Sequence, residues 1–330
     1  MSILAHKIRL YPNNKQKTLL AKSCGTSRFA YNWALAEWKR QYESGDKPNE
    51  AKLRKDLNAI KKEQFPWMYE VSKCCPQQAI KDLGTAFKRF FKGFAKYPKF
   101  KKKFVNDSFY LDNLNFHVRN GKVHLARIGE VRLGEKLRYE GKLMAATISR
   151  EANQWYISIQ VETPEGKPLQ QTGNTVGIDV GVRQYADNEG RFYEVPRSYR
   201  NSERKLRRLQ QDLSRKQKGS KNRSKARSNV SRCHLRIKSI RQDWLHKLTT
   251  DIVRNNDVIG IEDLNVKGMV RNRHLAKSIA DASFGEFRRQ IEYKALLFLL
   301  CQIPLTCYFS MAYAIIFVYF YSVRWLLVFV

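Results

Sequence analysis

Acidic residues are what this 330-residue chain most lacks: 30 Asp and Glu stand against 62 Lys and Arg, a formal charge of +32. So lopsided a balance turns the search for a partner away from cationic and neutral molecules and toward a polyanion. Nucleic acid comes ahead of an anionic membrane surface. Paired cysteines are lacking too. Cys24, Cys74, Cys75, Cys233, Cys301 and Cys307 contain no C-x-x-C spacing, which excludes a zinc ribbon and a thioredoxin-type motif. Adjacent Cys74 and Cys75 suit a reduced, intracellular protein. Residues 1–11 alternate apolar and basic side chains and have no continuous apolar core of a signal peptide, so a cytoplasmic location is expected. What the chain does have is 43% hydrophobic and 12% aromatic residues, enough for two or three modest cores and too many for disorder throughout.

Residues 3–10 read as a strand, ended by Pro12-Asn13-Asn14, whose side chains can cap a helix starting near Gln16. The pattern predicts a helix broken at Gly25 and a second from Thr26 carrying Phe29, Trp33 and Trp38, a helix-turn-helix-like pair. Those aromatics fit either a bundle core or direct DNA contact. A charged helix over residues 50–63 follows. After Pro76 a longer helix is expected to place Ile80, Leu83, Phe87, Phe90, Phe91 and Phe94 in one inward stripe. Tyr97-Pro98-Lys99-Phe100-Lys101-Lys102-Lys103 interleaves aromatics with cations, suited to stacking on bases while neutralising phosphates, with a solvated basic loop as the plain alternative. From residue 108 to 161 the period becomes two, and Asn120-Gly121 marks a hairpin because both turn positions favour positive φ. The expected arrangement is a small antiparallel β domain with the helices inserted after its first strand. Pro and Gly over residues 163–168 mark a linker.

The second half opens with a buried strand, residues 176–180, carrying Asp179 between Gly177 and Gly181. Two antiparallel strands and a long helical hairpin are expected next. Residues 201–250 hold sixteen Lys and Arg against three Asp and Glu, a bias that an ordinary solvated face with mixed signs would not show. Candidate nucleic-acid contacts are therefore Arg204, Arg207, Arg208, Arg215, Lys216, Arg223, Arg227 and Arg232, with Lys99, Lys101, Lys102 and Lys103 of the earlier segment. Residues 258–264 form another apolar strand, ending in Glu262 and Asp263. A helix over 281–294 is predicted with Asp281 as its cap. Two carboxylates at the ends of apolar strands are costly to bury unless cations hold them. Mg²⁺ or Mn²⁺ at Asp179 and Glu262 answers that need, and such ions can stabilise both oxygens of phosphodiester hydrolysis. Asp263 points to the opposite strand face from Glu262.

Arg28-Phe29-Ala30-Tyr31-Asn32-Trp33, Tyr97-Pro98-Lys99-Phe100-Lys101, Gly177-Ile178-Asp179-Val180-Gly181 and Ile261-Glu262-Asp263-Leu264 occur in an order that resembles the TnpB (OrfB) proteins of bacterial insertion sequences, relatives of the type V CRISPR nucleases. The resemblance covers about residues 1–295. It implies an α+β / α/β multidomain chain: a wedge-type, OB-like β domain from residues 1–13 and 104–168, an inserted helical recognition lobe at 14–103 with a helix-turn-helix-like start, and a RuvC-like (RNase H-fold) nuclease domain at 169–294. It implies a transposase-associated DNA endonuclease guided by a structured RNA, with DNA and guide RNA as partners, Mg²⁺ or Mn²⁺ as cofactor, Asp179 as first catalytic Asp and Glu262 as catalytic Glu.

The resemblance stops where family members continue into a C-x-x-C…C-x-x-C zinc ribbon and a D-R-D-x-N-type segment bearing a third metal-binding Asp. Neither follows here, so zinc is not expected, the nuclease domain reads as incomplete and cleavage as impaired. Residues 295–330 read as an apolar tail unrelated to the family, whose only charge is Arg324, from an out-of-frame or rearranged continuation. A membrane span through 305–323 or a buried core segment are the other readings. Two rival functions stand beside the nuclease: a non-catalytic nucleic-acid-binding protein, and a phosphate-binding ATPase of the actin-like or sugar-kinase type, which the Gly-Ile-Asp-Val-Gly run also resembles.

Overall fold

Alternation of apolar and charged side chains builds the first sheet. In β1 (Ser2–Tyr11), His6, Ile8 and Leu10 are buried while Lys7, Arg9 and Tyr11 are exposed, the pattern of a strand with one face packed and one solvated. The computed structural model describes residues 2–164, 172–299, 315–320 and 323–329, the last two stretches by backbone alone. These fall into two units, 1–164 and 165–330.

In the first unit β1 is followed by three helices, α1 (Asn14–Glu43), α2 (Glu50–Gln64) and α3 (Cys74–Phe91), before the remaining strands β2 (Ser108–Asp112), β3 (Phe116–Arg119), β4 (Lys122–Leu125), β5 (Gly129–Leu133), β6 (Lys142–Glu151) and β7 (Gln154–Thr163). All seven strands make one sheet, ordered β2-β6-β7-β1-β5-β4-β3, with every pair antiparallel. The β3–β4 hairpin turns at Asn120 and Gly121, both at positive φ. Ile8, Leu111, Val123, Leu125, Ile148, Ile157 and Ile159 are among the residues closing the sheet's core.

Three expectations for the helices are corrected. α1 runs unbroken through Gly25: its Asn13 and Gln16 form a reciprocal capping box, and its buried face continues from Leu20 and Cys24 to Ala30, Ala34 and Leu35. One interior glycine costs about 1 kcal/mol against alanine, too little to break a packed helix of this length. The inward stripe on α3 is fully buried to Phe87 and ends with Phe90, half-buried against the same core. Phe91 is 69% and Phe94 75% exposed, because the helix stops at Phe91 and Phe94 lies past its end. The same helix starts at Cys74, before Pro76, since a first-turn proline has no intrahelical N–H bond to lose.

The second unit contains β8 (Thr175–Val180), β9 (Gln184–Asp187), β10 (Phe192–Glu194), α4 (Ser198–Arg215), α5 (Lys221–Asn255), β11 (Val258–Glu262), α6 (Val266–Met269), α7 (Ala276–Ala282), α8 (Phe284–Leu299), β12 (Ile315–Phe320) and β13 (Val323–Phe329). Its sheet runs β10-β9-β8-β11-β13-β12. β8 and β11 are parallel and the other pairs antiparallel. Val176, Ile178, Ile259 and Ile261 pack with Tyr185, Leu245, Ile252, Phe287 and Ile291. The helix expected over 281–294 is two helices: Ser283 sits at φ 61 between α7 and α8, a reversal that a serine does not advertise as a glycine would. α8 continues past 294 to Leu299, with Ala295 buried. Residues 165–168 of the expected linker, and 305–314 and 321–322 of the candidate span, lie outside the described residues. Among the described residues no helix is long and apolar enough to cross a membrane.

Candidate functional site

Parallel pairing of β8 with β11 decides where the two predicted carboxylates go. Gly177 stands beside Gly260 and Ile178 beside Ile261, so the next residue on each strand, Asp179 and Glu262, leaves the sheet at the same level. Strand alternation sends Val176 and Ile178 into the core and puts Asp179 on the opposite face with Gly177. Among the described residues a side chain added at Gly177 would meet nothing within 4 Å, so they leave this face open beside the carboxylates. The expectation that both acids are buried is corrected: Asp179 is exposed and Glu262 half-buried.

The electrostatics follow from the proximity. Partial burial raises the Glu262 pKa above the usual glutamate value, and the negative charge of Asp179 raises it further. Neighbouring acids are differently placed. Asp187 accepts from the Glu189 and Arg191 amides at 3.0 and 2.8 Å and from the Tyr193 hydroxyl at 2.9 Å. Asp257 accepts from the Gly173 amide at 2.7 Å. Asp263 pairs with Arg288, which also holds Glu292. Asp281 is buried and accepts from Ser198 Oγ at 3.2 Å and from the Tyr199 and Arg200 amides at 2.8 and 3.1 Å. It therefore caps α4, whose own N-cap Arg197 offers no side-chain acceptor, and the expected role as cap of its own helix is corrected. Asp179 and Glu262 have no hydrogen bond or ion pair among the described residues. No cluster of three or more His, Cys, Asp or Glu suited to a metal occurs among the described residues either.

The predicted cations sort into free and occupied groups. Lys99, Lys102 and Lys103 are exposed, beside Phe100 and Phe104 at 58% and 57% exposure. Lys101 is occupied. Its main chain exchanges hydrogen bonds with the Asn32 side chain at 3.0 and 2.8 Å, and its ammonium lies 4.0 Å from the centre of the Tyr31 ring. Although much of the side chain meets solvent, burial of its end lowers the Lys101 pKa. Arg28 binds Asp107 at 3.0 Å. Arg28, Tyr31 and Asn32 thus act together as a clamp on the loop after α3, a role the sequence reading missed. The signal was polar residues recurring on a buried stretch of α1.

On the hairpin, Arg223 is occupied: its guanidinium donates to the Leu213 and Lys216 carbonyls at 3.0 and 2.7 Å, closing the turn from α4 to α5. Lys216 pairs with Asp212 at 3.1 Å, and Arg207 lies 4.0 Å from Glu203. Arg204, Arg208, Arg215, Arg227 and Arg232 are exposed.

Comparison with known proteins adds the following. Residues 158–273 match the OrfB_IS605 family model, described as a probable transposase, and residues 1–47 match HTH_OrfB_IS605, described as a helix-turn-helix domain. In this chain the latter stretch is β1, one continuous helix and the start of the turn after it. A relative from Escherichia coli (strain K12), InsQ, provisionally named an RNA-guided DNA endonuclease, is 33% identical over 314 residues, covering 88% of this chain and 77% of its own. A Streptomyces pristinaespiralis protein with the same provisional description is 36% identical over 298 residues, covering 88% and 74%. One from Mycobacterium tuberculosis is 28% identical over 340 residues, covering 88% and 74%. Among solved structures, a CRISPR-Cas12f ternary complex aligns with 83% of this chain and 68% of its own at 11% identity and a TM-score of 0.33, a superposition too poor to carry an argument.

Proposed function

Because the chain belongs to the OrfB family of insertion-sequence transposases, the TnpB family of its sequence resemblance, we propose that it is an RNA-guided DNA endonuclease with Asp179 and Glu262 at its cleavage site. The observation that carries this reading is the parallel β8–β11 register, which brings together two unpartnered carboxylates from opposite ends of an 80-odd-residue excursion. Three antiparallel strands, a helical hairpin and a fourth strand parallel to the first also suit a RuvC-like, RNase H-type arrangement. The proposed domain division follows: a β wedge from 1–13 and 104–168, a helical recognition lobe at 14–103, and an incomplete nuclease domain at 169–294.

The residues present fit a divalent ion. Glu262 is held against the charge of Asp179 with no cation among the described side chains to offset it, and hard carboxylate oxygens suit Mg²⁺ or Mn²⁺. Asp179 and Glu262 would hold the ion, which would supply Lewis-acid polarisation of a phosphodiester. The protein's own contribution is orientation. The strand register fixes both oxygen donors on one open face, and the exposed cations Lys99, Lys102, Lys103, Arg204, Arg208, Arg215, Arg227 and Arg232 attract DNA and guide RNA.

The test is cleavage of target DNA by the protein loaded with its RNA, in Mg²⁺ or Mn²⁺. Wild type is expected to cut weakly, since no third acid stands beside the pair among the described residues, and Asp179→Ala and Glu262→Gln to fall to background while retaining nucleic-acid affinity. Undiminished cutting by both variants would sink the assignment. A second reading, a nucleic-acid-binding protein without cleavage, is favoured by the absence of a third acid beside the pair among the described residues. It predicts that wild type binds but does not cut in either ion.

A further inference from the structure

α4 and α5 enclose a cleft of about 710 Å³ that shares no residue with the carboxylate pair. Asn201, Lys205 and Leu209 line it from α4, and Arg232, Arg236 and Ile240 from α5. Each set recurs every four residues, so each is a single stripe along its helix. Beneath them the hairpin closes on a small core of Leu206, Cys233 and Ile237.

The charge in this cleft is of one sign. Among the described residues no Asp or Glu lines it. The acids nearby on α4 are engaged elsewhere, Glu203 with Lys277 at 2.6 Å and Asp212 with Lys216 at 3.1 Å. Lys205 and Arg236 have no hydrogen bond or ion pair among the described residues. Arg232 donates to Asn229 Oδ1 at 2.6 Å, which orients its guanidinium without neutralising it. The first amides of α4 are already bound by Asp281, so the attraction comes from the side chains and not from the helix end. Three cations gathered around one hollow repel each other, and a bound polyanion removes that penalty. Ile240, 40% exposed, and Leu209 add apolar surface against which a base can lie.

We propose that this cleft is a binding site for a single strand of nucleic acid, with a backbone phosphate between Lys205, Arg232 and Arg236 and a base against Leu209 and Ile240. Its volume falls within the roughly 300–1,000 Å³ usual for small-ligand sites, enough for a nucleotide. The assignment rests on the nucleic-acid-binding part of the proposed function and is independent of whether the carboxylates cut.

The experiment compares Lys205→Ala/Arg236→Ala with Lys221→Ala/Lys225→Ala, which removes the same charge from exposed hairpin positions outside the cleft. Fluorescence anisotropy with single-stranded DNA and RNA oligonucleotides of one sequence is read over a range of salt, with circular dichroism to confirm folding. The cleft variant is expected to lose about tenfold or more in affinity for at least one oligonucleotide, with a log–log salt slope shallower by about 1 to 2. Leu209→Ser should weaken binding without changing that slope. Loss with RNA alone assigns the cleft to the guide, and loss with DNA alone assigns it to the target. Equal losses in both double variants, or none in the cleft variant, would overturn the proposal. DNA cleavage is measured in parallel: a protein that binds through the cleft yet never cuts defeats the nuclease reading alone, and one that cuts while its cleft variant binds normally defeats the cleft alone.

Discussion

Lys294 of α8 is buried with its ammonium donating to the His246 carbonyl at 2.9 Å and to the Thr249 and Thr250 hydroxyls at 2.7 Å each. Among the described residues no carboxylate partners it. Burial, aided by the charge of Arg254, lowers its pKa from 10.5 to about 8. Below pH 8 the lysine is charged in both folded and unfolded chains, and the folded protein bears the cost of burying it. Between about 8 and 10.5 only the unfolded chain keeps the proton, so stability rises with pH through that window. The contribution is roughly 2 to 3 kcal/mol. Urea melts on either side of the window are expected to show this rise in wild type and not in Lys294→Met. Lys101 and Lys102 make a contrasting pair. Lys102→Ala should reduce the salt slope of nucleic-acid binding by about 1. Lys101→Ala should leave the slope alone and cost about 0.5 to 2 kcal/mol of stability through the lost contact with Tyr31, read as a shift in the first unit's urea midpoint.

At the level of elements, α4 depends on an acceptor from outside its own sequence. Asp281→Ala strips its first turn of three hydrogen bonds. It is expected to destabilise the second unit by about 1 to 3 kcal/mol and to speed amide exchange at Tyr199 and Arg200, while Asp281→Asn retains part of the cap. This cap shows where sequence reading ends. The strands up to β11, the Asn120-Gly121 hairpin and the side-by-side placing of Asp179 and Glu262 were legible because they rest on local alternation, on turn residues, or on two short apolar runs that could lie side by side, whereas β12 and β13 fall in residues read as an apolar tail. The capping of α4 was not, since Ser198 and Asp281 are 83 residues apart and an aspartate near a helix reads first as a local cap. Gly25 and Phe91 misled for a related reason. A glycine breaks a helix only when packing does not hold it, and an apolar period continues past the residue where the helix stops. Arg28, Tyr31 and Asn32 belong to one clamp that closes on Lys101 and Asp107, contacts that no window on the sequence contains.

For the whole molecule, the excess of 62 basic over 30 acidic residues predicts affinity dominated by phosphate neutralisation. Neutralising six to ten phosphates would lower affinity by about 10³- to 10⁵-fold between low and moderate salt. Filter binding of non-target DNA over that range checks this; a flat response would show that the charge is not what holds the polymer. Both carboxylate variants should give the same slope as wild type, because Asp179 and Glu262 stand apart from the free cations in role.

The parallel pairing of β8 with β11 also sets an order in time. Parallel strands cannot be joined by a tight turn, and here the whole α4–α5 hairpin is synthesised between them. Helices form from local contacts far faster than a distant strand pair closes. A chain emerging from the ribosome therefore carries its cationic hairpin before Glu262 has reached Asp179, so its positive surface is formed earlier than its carboxylate pair.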